Sequence, residues 1–81
     1  MHLDHLIKMA NQIGAFFQSM PDAEEGMAGL AQHLRNYWDP RMRRQLLLHV
    51  ADGRGEGLSS FTLDALRTHH VALRPAIAGD A

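Results

Sequence analysis

The chain has 81 residues, 8 Lys plus Arg against 9 Asp plus Glu, a formal charge of -1 and no cysteine. That length suits one small domain, and the missing cysteine excludes disulfides, thiolate zinc sites and iron–sulfur ligation by this chain. The charge balance offers no global field to a polyanion, no apolar run approaches the roughly 20 residues of a membrane span, and the start Met1-His2-Leu3-Asp4-His5-Leu6 lacks the basic and apolar regions of a secretory signal, so a soluble chain that stays where it is made is expected.

At about 100° per residue, Leu3, Leu6, Ala10, Ile13, Phe17 and Met20 share one stripe, which predicts a first helix over 4–19. Asp4, Lys8, Asn11, Gln12 and Gln18 fall opposite it. Ile7, Met9, Gly14 and Phe16 widen the apolar arc to about half the circumference, enough to touch two neighbours. Ser19-Met20-Pro21-Asp22 breaks this helix, and Asp22 with Glu25 three residues on forms a capping-box pattern for a second helix over 22–37. Its inward positions are Ala23, Met27, Leu30, Ala31, Leu34 and Tyr37, with Gly26, Gly29 and His33 along one edge. Each mid-helix glycine costs about 1 kcal/mol relative to alanine, which points either to close approach of another backbone or to simple tolerance.

Trp38-Asp39-Pro40 is the clearest punctuation: Asp39 suits an N-cap, Pro40 suits the first helical position, and the residue before proline is pushed out of the α region. A third helix over 40–52 follows, with Met42, Leu46 and Val50 as its core stripe and Leu47 on the flank. Asp52-Gly53-Arg54-Gly55-Glu56-Gly57 reads as a flexible loop. Ser59 or Ser60 then caps a fourth helix over 60–71, burying Thr62, Leu63, Leu66 and His70. From Arg74-Pro75 onward little remains to pack, so the domain is expected over 1–73 with a disordered tail over 74–81. No strand alternation or internal repeat appears, and the expected fold is all-α: a small single-domain bundle of about four short helices.

Four segments carry a resemblance: Leu6-Ile7-Lys8-Met9-Ala10-Asn11-Gln12-Ile13-Gly14-Ala15-Phe16-Phe17, then Met20-Pro21-Asp22, Trp38-Asp39-Pro40-Arg41-Met42-Arg43-Arg44-Gln45-Leu46, and Gly55-Glu56-Gly57-Leu58-Ser59. In that order they resemble the delta-subunit family of the NAD-dependent, molybdenum-containing formate dehydrogenases, over about residues 3–70. Ser60 stands where proline is expected from the family. The resemblance implies a cytoplasmic enzyme complex whose large alpha subunit carries a molybdenum bis-pterin guanine dinucleotide centre and iron–sulfur clusters. Beta and gamma subunits carry FMN and further clusters and pass electrons to NAD. The delta chain holds no cofactor in that scheme. It supports complex stability or molybdenum cofactor insertion, and its implied partners are the other subunits, foremost the alpha subunit, or a maturation chaperone.

The residues themselves add a candidate docking patch. On a helix starting at Pro40, Arg41, Arg44 and Leu48 project opposite Leu46, and Arg43 lies near the core edge. Arginine supplies forked hydrogen bonds to carboxylates and leucine supplies apolar area; the plain alternative is a solvated face whose arginine stems cover apolar surface. Cations at a helix start oppose its dipole, which leaves phosphate, on a nucleotide cofactor or a nucleic acid, as a further ligand class. A small DNA-binding module using this helix is therefore the competing function, disfavoured by Asp39 and the negative balance. Tyr37 and Trp38 at the hinge are either core aromatics or interface anchors.

His2, His5, His33, His49, His69 and His70 contain no i, i+4 pair, so the spacing argues against a metal site. Ser59 and Ser60 are explained as caps, and neither a Gly-x-Ser-x-Gly turn nor a P-loop is present. The chain is read as having no active site. Its wide apolar arc, with Leu48 and Phe61 off their helices' stripes, predicts marginal stability or self-association in isolation.

Overall fold

Asp22, Asp39 and Ser59 decide where three helices begin. Asp22 Oδ1 accepts from the Glu24 and Glu25 amides at 2.9 and 3.3 Å, and Asp39 Oδ1 accepts from the Arg41 and Met42 amides at 2.8 and 3.0 Å. Ser59 Oγ accepts from the Thr62 amide at 3.3 Å, which resolves the choice between the two serines. Each satisfies amides that the first helical turn leaves without partners. In the computed structural model, which describes residues 2–75, the elements are α1 (Leu3–Gln18), α2 (Ala23–Tyr37), α3 (Pro40–Asp52), α4 (Ser60–Thr68) and α5 (His70–Leu73). There is no strand among the described residues. Residues 76–81, most of the expected tail, lie outside the described residues.

α1 packs on α2, α3 and α4, and α5 closes the far side against α2, α3 and α4. The core they share is built from Leu6, Leu30, Leu34, Leu46, Leu66 and Leu73, with Ala10, Ala31 and Ala65 where helices come close and Trp38 at its edge. Gly26 and Gly29 allow the α1–α2 contact: a Cβ at Gly26 would stand 2.5 Å from the Phe17 carbonyl oxygen, and one at Gly29 would stand 2.8 Å from the Phe17 ring. The close neighbour is backbone at Gly26, as expected, and the Phe17 side chain at Gly29.

The expected core differs in four places. Ala23, assigned inward, is exposed in the first turn of α2. Tyr37, assigned inward, is 75 % exposed, while Trp38 is 5 % exposed. The chain leaves helical geometry at Trp38 (φ -92°, ψ 135°), and it is this first residue beyond the helix, not the last one within it, that joins the core. Met20 is exposed because α1 stops at Gln18, before the stripe reaches it. The fourth helix does not run to 71: it breaks at His69 (φ -109°, ψ 21°), which resets the phase so that Leu73 is buried and His70 faces solvent.

The 52–57 loop is tied down rather than a free linker. Arg54, Gly55 and Gly57 have positive φ of 58°, 70° and 91°, a conformation that glycine adopts without penalty. His49 Nε2 lies 2.7 Å from the Glu56 carbonyl oxygen, and since a carbonyl only accepts, that ring nitrogen is the donor. Asn11 completes the tie from α1. Its Nδ2 donates to the Gly57 carbonyl at 2.9 Å, and its Oδ1 accepts from the Ser59 amide at 2.9 Å. A residue placed on the polar face of α1 by periodicity thus joins the first and last of the recognised segments.

Candidate interaction surface

α3 is the element that presents the arginines. Asp39 caps it, Pro40 occupies the first turn, and proline's fixed φ starts the helix where its missing N–H costs nothing. The Asp39 carboxyl is held below the usual carboxylate range, first by the Met42 amide, then by the Arg41 amide and the charges of Arg41 and Arg43, against an opposing contribution from desolvation. The cap is therefore anionic, and it partly offsets the unfavourable placement of cations at the positive end of the helix dipole.

The five sequence-predicted residues separate into two groups. Arg41, Arg44 and Leu48 are exposed, Leu48 by 54 %, and their i, i+3, i+7 spacing places them along one stripe of α3. Arg43 and Trp38 turn the other way. Arg43 is half-buried, and its guanidinium donates to the Trp38 carbonyl from Nε at 3.3 Å and to the Leu73 carbonyl from Nη1 at 3.2 Å. It holds the α2–α3 junction to the last turn of α5. Trp38 and Arg43 both line a small apolar recess with Leu34, Leu46, Leu66 and Leu73, and the indole packs as a core aromatic. No comparable bond ties the Arg41 or Arg44 side chain among the described residues.

A model of the family NADH-dependent formate dehydrogenase delta subunit, FdsD, matches residues 5–66. The chain belongs to that family. The match runs from the first turn of α1 to Leu66 in α4, and so spans the Asn11 latch, the Asp39 cap and the outer stripe of α3. No match was found among curated proteins or solved structures. Among the described residues of this delta-subunit family member, no group of three or more His, Asp or Glu side chains is gathered as a metal site, and no helix is long and apolar enough to cross a membrane.

A second exposed surface was not read from the sequence. Phe16 and Phe17 meet edge to face at 5.1 Å between ring centroids, Phe17 stands 6.0 Å from His33, and His33 stands 4.8 Å from Tyr37. Phe16 and Tyr37, at the ends of this aromatic ribbon, are 69 % and 75 % exposed. The signal was present in the angular offset of Phe16 from the Leu6–Ala10–Phe17 stripe, but a wide apolar arc absorbs such an offset without distinguishing a second neighbour from solvent.

Proposed function

We propose that this chain is a non-catalytic delta subunit or assembly factor of a cytoplasmic, NAD-dependent, molybdenum-containing formate dehydrogenase, docking through the outer stripe of α3. The family match over residues 5–66 carries the reading. Its partner is another subunit of that enzyme, foremost the large alpha subunit, or a maturation chaperone, and its effect is on complex stability or molybdenum cofactor insertion. The molybdenum centre, iron–sulfur clusters and FMN belong to the other subunits. This chain has no cysteine for a cluster.

Docking on α3 is supported by a division within one arginine cluster. Arg43 is used inside the fold, whereas Arg41, Arg44 and Leu48 face solvent together. Arginine forks and an exposed leucine are what a polar-rimmed protein contact uses.

The test is co-expression with the dehydrogenase subunits. The chain should co-purify with them. Replacing Arg41, Arg44 and Leu48 together by alanine should leave helicity nearly unchanged, since exposed substitutions shift stability by about 0.5 kcal/mol or less each. Recovered formate-oxidising activity and molybdenum content should fall. Full activity and full molybdenum in the triple variant would remove α3 as the docking face; duplex DNA binding that weakens steeply with salt, without co-purification, would replace the whole reading.

A further inference from the structure

We infer that the outer stripe of α3 recognises an acidic segment of a partner polypeptide, with carboxylates for Arg41 and Arg44 and an apolar side chain for Leu48, and not a phosphate group. This rests on the reading of α3 as the docking face and adds the chemistry of what it meets.

Three observations count against a phosphate cradle at the start of α3. A helix N-terminus binds phosphate through its free amides, but the amides of Arg41 and Met42 are already taken by Asp39 Oδ1 at 2.8 and 3.0 Å. The Asp39 carboxyl is anionic and sits at the end of the helix where a phosphate would lie. Arg43, the cation between the other two in sequence, is turned inward to the Trp38 and Leu73 carbonyls, so the three arginines do not converge on one anion.

What remains matches a protein segment. Two guanidinium groups one turn apart are followed, a further turn along, by a leucine that is 54 % exposed, and at 1.5 Å per residue the stripe spans about 10 Å. A phosphate has no use for the leucine. A segment with two acidic residues and an apolar one on a single face complements all three: the charges set orientation and encounter, and the apolar contact excludes water around them.

The experiment uses the co-purified complex with the full-length chain. Arg41→Glu with Arg44→Glu should weaken retention of the partner about tenfold or more, equivalent to about 1.4 kcal/mol, with circular dichroism unchanged. Arg41→Lys and Arg44→Lys chains, treated with a zero-length carbodiimide that joins amines to carboxylates, should yield cross-linked peptides carrying partner Asp or Glu. On the unaltered complex, excess inorganic pyrophosphate should release no more partner than sodium chloride of equal ionic strength. If charge reversal abolishes retention but pyrophosphate competes beyond the salt control, or the cross-links contain no partner carboxylate, the acidic-segment inference fails and the docking reading survives. If the Glu variants are retained like the parent, α3 is not the docking face and both fail.

Discussion

The Asn11 latch and the outer stripe of α3 are both made of polar residues on helix surfaces, and they use their hydrogen-bonding capacity in opposite ways. Asn11 directs its donor and its acceptor to backbone atoms 46 and 48 residues away. Arg41 and Arg44 extend charged donors to solvent. The difference shows that a polar side chain in a helical family segment is assigned by where its atoms are satisfied, not by the face it occupies. Arg43, in the midst of the second region, behaves like the first.

The comparison can be broken most forcefully through the core that supports both regions. Leu46, 1 % exposed on the inner side of α3, should lose about 2–5 kcal/mol on replacement by alanine, enough to unfold a domain of this size. Urea denaturation with helicity as readout checks it, and a loss below 1 kcal/mol would mean that α3 is held mainly from outside. Asn11→Ala comes next. Removing two hydrogen bonds at about 0.5–1.5 kcal/mol each should shift the denaturation midpoint and raise amide exchange at Ser59, while co-purification with dehydrogenase subunits follows only the folded fraction.

Within the arginine cluster the expected effects are smaller and divide cleanly. Arg43→Ala should destabilise the fold by about 1–3 kcal/mol, because its charged donors satisfy two backbone carbonyls, whereas Arg44→Ala should change stability by about 0.5 kcal/mol or less. Equal effects from both would erase the distinction between an arginine used inside the fold and one left to solvent. The gentlest test is titration of the cap. Asp39 has its carboxyl lowered in the fold, so its contribution is present above the ordinary carboxylate range and is lost as pH falls through the lowered value. Asp39→Asn should therefore narrow its stability difference from the parent as the solution is acidified; a gap that widens would assign the pH dependence to another group.

How much of this was legible depended on the kind of signal. Helix starts were local chemistry, so Asp22 and Asp39 were readable as caps from their neighbours alone, and the glycine edge of α2 raised the right question about close approach. His70 was misplaced because helical phase was carried past His69, where the backbone leaves it, whereas Tyr37 is the last residue of α2 and the inward place is taken by Trp38, the first residue beyond it. Asn11 and Arg43 were assigned incompletely for another reason: their partners are backbone carbonyls and an amide far along the chain, and such pairing leaves no trace in periodicity. Exposure of Arg41, Arg44 and Leu48 followed from their angle to Leu46, the simplest inference a helix permits.

The Asn11 latch also joins segments of the chain that are made at different times. The contacts of Gly26 and Gly29 with Phe17 lie within the first 37 residues. The Asn11 amide, by contrast, stays with water until Gly57 and Ser59 have been synthesised. Closing the latch is therefore a long-range step that carries the entropy of bringing distant segments together.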